Sequence, residues 1–215
     1  ATALANQMVN EMGCNFVTRL QEETGASVVD IANAYSATRE IFELEGILKQ
    51  TRALDNVATA EAQYEIMFYV RRALRRISRW LLRNRSGKST VAELVAVYKD
   101  DVHTITETLD TMLVASEVEE HNELAQKWIE RGVEEKLAHH VARLSCLQSA
   151  LDSSAVASVT GKTVEQASKL YFNLGDRLSR HWFLKQINGQ AVDNNWQALA
   201  RAAFREDLDW QQRQL

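Results

Sequence analysis

The sequence predicts an all-α protein, a compact multi-helix bundle, from three observations. The 215 residues contain no proline, where average usage would supply about ten. Glycine is scarce, at eight residues, while the strong helix formers Ala, Leu, Glu, Gln and Arg abound. Apolar residues recur at helical spacing, as in Val28, Ile31, Ala34, Tyr35, Thr38 and Phe42. Sandwiches and barrels need many Gly/Pro turns, which this chain does not supply.

Taken in order, a first helix over 2–12 stops at Gly13, and a second over 15–23 ends at Thr24-Gly25, where glycine suits the left-handed end position. Ser27 with Asp30 three residues on is a capping-box pattern that opens the next helix. Gly46 breaks or bends the chain before a helix over 47–54. Asp55-Asn56 marks a turn, and a long helix runs over 59–84 until Ser86-Gly87 ends it. Shorter helices follow over 89–99, 101–115, 117–131, 133–144 and 145–158. Thr163 with Gln166 caps another, Asn188-Gly189 is a turn, and a last helix runs from Asp193 to near the end. Connections are short and no linker interrupts them, so 1–215 reads as one domain, with a cut into 1–87 and 88–215 as the alternative.

A repeat runs through this pattern. Thr24-Gly25, Ser27-Val28, Tyr35 and Leu48-Lys49-Gln50 reappear as Thr160-Gly161, Thr163-Val164, Tyr171 and Leu184-Lys185-Gln186, each 136 residues later. Either two helices share a cap and a stripe by chance, or a helical unit over about 24–86 is duplicated over 160–215.

Catalytic signatures are missing from the sequence. No G-x-G-x-x-G turn exists for a dinucleotide. Ser86-Gly87-Lys88-Ser89-Thr90 resembles the end of a phosphate-binding loop, but Leu82 stands where its first glycine belongs. His103, His121, His139, His140 and His181 form no HExxH pattern, and Glu117/His121 and Glu135/His139 read as helix-face ion pairs. Cys14 and Cys146 make no CxxC pair and read as buried small hydrophobes. The five tryptophans, Trp80, Trp128, Trp182, Trp196 and Trp210, read as core. No metal, catalytic or cofactor-binding residue is therefore assigned. No apolar run is long enough to span a membrane. The opening residues show no basic stretch followed by an apolar one, so no signal peptide is expected, and the start at Ala1 reads as that of an excised or processed chain.

The most unusual stretch is 71–88, with eight positive charges and no acid. On the long helix, Ile66, Met67, Val70, Ala73, Leu74, Ile77 and Leu81 form an apolar stripe. Phe68, Arg72, Arg75, Arg76, Arg79 and Arg83 project on the opposite side and form a candidate interaction face. Three readings stand open: a solvated or internally paired face, a contact with another part of the same protein, or a nucleic-acid or anionic-membrane surface. The net charge of −4 disfavours the last.

Longer phrases point to a family. Asn6-Gln7-Met8-Val9-Asn10 leads through Met12-Gly13 into Phe16-Val17-Thr18-Arg19-Leu20-Gln21-Glu22-Glu23-Thr24-Gly25-Ala26-Ser27. Ile31-Ala32, Ala34-Tyr35 and Arg39-Glu40-Ile41-Phe42 follow, then Trp80-Leu81-Leu82-Arg83-Asn84-Arg85. Trp196-Gln197-Ala198-Leu199-Ala200-Arg201-Ala202-Ala203 precedes Arg205-Glu206-Asp207-Leu208. In this order the phrases resemble the region after the catalytic core of the large, multidomain NAD-dependent glutamate dehydrogenases of bacteria. The resemblance implies a parent enzyme that oxidatively deaminates glutamate to 2-oxoglutarate and ammonium, with NAD as hydride acceptor, in a cytoplasmic homo-oligomer of amino-acid catabolism. It places the catalytic lysine and the nucleotide-binding domain upstream, so NAD is a cofactor of the parent and not of this segment. The expected role is assembly, stability or regulation, with the upstream core and neighbouring subunits as partners. The alternative is a helical nucleic-acid-binding or interaction module using the 71–88 basic face.

Overall fold

The structure, a computed structural model, describes residues 2–84, 87–113, 115–191, 193 and 195–215. Every regular element among them is helical. By its internal contacts the chain falls into two compact units, one of Ala1–His103 with Glu119–Gln148 and the other of Thr104–Val118 with Ser149–Leu215.

In the first unit, α1 (Thr2–Met12) and α2 (Cys14–Thr24) meet at Gly13, whose φ of 92° only glycine adopts without strain. Helix α3 (Val28–Ile41) opens on Ser27, and the capping box with Asp30 is complete in both directions. Its inner face is Ile31, Ala34, Tyr35, Ala37, Thr38 and Ile41; Val28, expected in that stripe, is instead exposed in the first turn. Helix α4 (Leu44–Arg52) buries Leu44, Ile47, Leu48 and Thr51. The expected break at Gly46 is absent, because Gly46 lies inside α4 and the chain turns at Glu43, held left-handed at φ 50°.

Helix α5 (Ala60–Asn84) is the spine of this unit. It packs against α1 to α4 and against α8 (Glu135–Arg143), and its buried residues include Ile66, Val70, Ala73, Leu74, Ile77 and Leu81. The sequence expectation of helices over 89–99 and 101–115 is corrected by one continuous helix, α6 (Val91–Met112). Asp100 and Asp101 punctuate nothing, because two acids cost a helix far less than a glycine or proline would. Helix α7 (Ala115–Ile129) precedes α8.

A 3-10 turn, Leu144–Cys146, joins α8 to α9 (Leu147–Thr160). In the second unit Thr163 and Gln166 form a complete capping box for α10 (Val164–Arg177). Helix α11 (Arg180–Asn188) follows α10 across Ser179, which is left-handed at φ 54°. Helix α12 (Asn195–Gln214) closes the chain.

The repeat is visible in these elements. Helices α3 and α10 are each 14 residues long, and α4 and α11 each 9. Their first residues, 28 and 164, then 44 and 180, keep the 136-residue offset, as do the left-handed pairs Gly25/Gly161 and Glu43/Ser179. Thr24 and Thr160 each return a hydroxyl to the carbonyl four residues back. Tyr35 and Tyr171 each donate a phenolic proton to a carboxylate, Glu11 and Asp152 respectively. Helix lengths and hinge positions repeat together at one offset, while the two tyrosines find their carboxylates at non-equivalent positions, 24 and 19 residues back.

Candidate functional site

The basic face of α5 is drawn mostly into the fold. Arg79, expected on the open side, is only 8% exposed. The reason is that α5 is covered on more than one side, since α2 packs over the turn where Arg79 projects. Its guanidinium meets Glu23 of α2 at 3.0 Å and lies 5.3 Å from the Phe16 ring centroid. Burial pulls its pKa down, partly offset by the Glu23 charge. Arg83 reaches the same carboxylate at 3.6 Å, and Arg19 pairs with it from within α2. Arg75 donates from Nε to the Met12 carbonyl oxygen at 2.8 Å, and its guanidinium lies 5.8 Å from the Phe16 ring centroid. Arg76 donates to Gln148 Oε1 at 2.8 Å. Phe68 remains outside, 52% exposed, edge-on to Tyr69; Arg72 is half-buried. The face is thus split into an inner knot centred on Glu23 and an outer rim at Phe68 and Arg72.

Two other polar clusters in this unit escaped the sequence reading. Glu11 accepts from Tyr35 at 2.8 Å and from Arg39 at 2.5 Å, and Arg39 also pairs with Glu45. Beside them Arg39, Arg52 and Arg71 line a cavity of about 90 Å³ with Leu44, Leu48 and Leu74. That is well below the roughly 300 Å³ of an ordinary small-molecule site. Glu65 on α5 accepts from Lys127 Nζ at 2.7 Å on one oxygen and from the Trp128 indole at 2.7 Å on the other. No spacing rule connects residues 62 or 63 positions apart, so only the structure could show them.

Partial burial alone would raise the Glu65 pKa, but the Lys127 and Trp128 hydrogen bonds, with the charges of Lys127 and Arg131, bring it below its ordinary 4.5. A carboxylate with a depressed folded pKa stabilises the fold above its unfolded value, and that contribution fades as pH falls through the folded one. The Glu65→Gln variant should therefore lose less stability than the parent as pH drops from about 5 to about 3. Urea midpoints across that window check it, and parallel curves would contradict the assignment.

His121 of α7 also makes contacts beyond its own helix. It lies 3.1 Å from Ser145 Oγ and 3.3 Å from Cys146 Sγ, while the side chain of Glu117, its expected partner, lies outside the described residues, as does that of Cys14. Cys146 is buried and unbridged, as expected of a small hydrophobe. The tryptophans divide. Trp128 and Trp80 are core, Trp182 and Trp210 are about half-exposed against expectation, and Trp196 lies outside the described side chains. At the remnant of a phosphate-loop pattern, Ser89 and Thr90 donate their backbone N–H groups to Glu93, as in a helix cap. Ser86 itself lies outside the described residues.

The second unit is centred on a buried polar network. Asp152 accepts from Tyr171 at 3.2 Å and from Arg213 at 3.2 Å. Asp209 pairs with Arg180, and Gln212 donates to the Tyr171 carbonyl oxygen at 2.8 Å. Burial first, then Asp152, pushes the Tyr171 phenol well above its ordinary range, so it stays protonated and donates. These contacts tie α9, α10, α11 and α12 together. Among the described residues no group of three or more His, Cys, Asp or Glu is arranged to hold a metal ion. No helix among them is long and apolar enough to cross a membrane.

Such a molecule is a helical packing module, with many of its charged side chains holding its own helices in place. The chain belongs to the glutamate dehydrogenase C-terminal family, whose model matches residues 1–215. It is 39% identical over 213 residues to the NAD-specific glutamate dehydrogenase of Pseudomonas aeruginosa, and 36% identical over 212 residues to that of Halomonas elongata. Each match covers 99% of this chain and 13% of the relative. The NAD-specific glutamate dehydrogenase of Mycobacterium tuberculosis is 27% identical over 207 residues, or 96% of this chain and 13% of that protein. The chain therefore spans about one-eighth of the length of these relatives.

Proposed function

We propose that this chain is a non-catalytic helical domain serving the assembly, stability or regulation of an NAD-dependent glutamate dehydrogenase. The remainder of that enzyme oxidatively deaminates glutamate to 2-oxoglutarate and ammonium, with NAD accepting the hydride. The observation that carries this reading is a match along 99% of the chain to proteins named for that activity, of which it makes up 13%. Hydride transfer needs a cofactor cradle and placed acid/base groups, and the polar clusters described here instead hold helix to helix. The partners are the preceding core of the same chain and neighbouring copies, in a cytoplasmic homo-oligomer. The nucleic-acid alternative is disfavoured because Arg75, Arg76, Arg79 and Arg83 each engage a protein acceptor.

Of the candidate face, the outer edge at the exposed Phe68 is the part offered to the rest of the enzyme. The full-length protein should reduce NAD in the presence of glutamate, and residues 1–215 alone should not. Phe68→Asp in the full-length enzyme should weaken assembly by about tenfold or more, seen as smaller species in sedimentation with a parallel fall in activity. Glutamate-dependent NADH formation by the segment alone would overturn the non-catalytic reading. Unchanged size and activity in the Phe68 variant would remove this edge from it.

A further inference from the structure

The duplication supplies an internal reference for what ought to cover each helix. In the first copy α4 turns Leu44, Ile47, Leu48 and Thr51 inward, and all four are buried. Three elements cover them: α3 and α5 of the same copy, and α8 from outside it. The matching positions in the second copy are Arg180, Phe183, Leu184 and Ile187. Helix α11 packs on α10 and α12, the counterparts of α3 and α5, yet none of its residues is buried. Phe183 is 46% and the adjoining Trp182 54% exposed, their rings 5.0 Å apart and edge to face. Two neighbouring large aromatics left in water are a departure from a well-buried core helix, and contiguous exposed apolar surface marks an interaction site. Among the described residues α10 and α12 are the helices that pack closely on α11.

We infer that the Phe183, Leu184 and Ile187 face of α11, with Trp182 at its edge, is a docking surface for an amphipathic helix from the part of the full-length polypeptide outside these 215 residues. This rests on the reading of the chain as one part of a longer enzyme. Three observations choose that occupant. The chain is 13% of the length of its relatives, so most of the polypeptide lies elsewhere. The first copy shows that what fits this position is a helix, with Leu137, Ala138, Val141 and Ala142 of α8 as its buried stripe. Helix α11 carries the exposed Lys185 and no acid, which favours a stripe flanked by carboxylates. Such a helix would lay apolar anchors at i, i+3, i+4 and i+7 across the aromatic pair.

The test places the photoreactive amino acid benzoylphenylalanine at position 183 of the full-length enzyme, with a second preparation carrying it at Val159, which is 87% exposed, as control. Illumination at position 183 should give an intrachain crosslink to a helix outside residues 1–215, absent from the control. Adding Lys185→Glu should lower its yield by about threefold or more, and Lys185→Arg should not. Crosslinks that run at twice the subunit mass and map to residues 1–215 of a second copy would overturn the inference, as would a yield no higher than the control. Glutamate-dependent activity of the same preparations reports on the functional reading separately, so an active enzyme without the crosslink fails only the docking surface.

Discussion

Replacing Trp128 by alanine should lower the stability of the first unit by about 4 kcal/mol, the usual loss for a fully buried large aromatic. The residue is 0% exposed, stands edge-on to Tyr69 with centroids 5.3 Å apart, and donates its indole proton to Glu65. Truncation removes the packing and the aromatic pair, and takes one of two donors from a carboxylate only partly shielded from water. For a chain of this size the thermal midpoint should fall by roughly 8–15 °C. Trp128→Phe, which keeps most of the volume and loses the donor, should fall in between. A midpoint shift for alanine no larger than that for phenylalanine would show that the hydrogen bond, and not packing, governs the site.

Gly132→Ala should be comparably damaging for a different reason. Gly132 has φ +91°, where an L side chain is strained, and an added Cβ would sit 2.5 Å from the Val57 carbonyl oxygen and 3.1 Å from Ala58 Cα. Both obstacles are backbone, and the strand of chain they belong to is pinned by Thr59 N–H donating to the Arg131 carbonyl oxygen at 2.9 Å. Neither partner can yield without breaking that bond, so a loss on the order of 3 kcal/mol or more is expected. Gly161 gives the contrast. It is also left-handed, at φ +66°, but meets nothing within 4 Å. Gly161→Ala should cost only the backbone strain of about 1 kcal/mol. Urea denaturation of the two variants compares them directly, and equal losses would refute the steric account of Gly132.

Much of the helical architecture was legible in the sequence because its signals are local. Ser27/Asp30 and Thr163/Gln166 are reciprocal caps three residues apart, and both formed. The breaks at Glu43 and Ser179 carry no sequence signal, because the chain puts non-glycine residues in the left-handed region at the same place in each copy. Those turns are imposed by packing of the flanking helices, which residue type does not announce. The candidate face was half legible. Helical periodicity put Phe68 and the arginines on one side, but it assumes a helix with one dry face and one wet one. With α2 packed over α5, Arg79 became interior, and nothing within α5 itself records that neighbour.

The buried carboxylates of the second unit carry a consequence for behaviour in brine. Added electrolyte weakens attractions between charges that face solvent and hardly touches those shielded by protein. The pairs Arg180 with Asp209 and Arg213 with Asp152 have carboxylates only 3% accessible. Lys127 with Glu65 and Lys169 with Glu165 stand open to counterions on at least one side. Rising ionic strength would therefore loosen the outer ion pairs first and leave the aspartate-centred interior of the second unit intact.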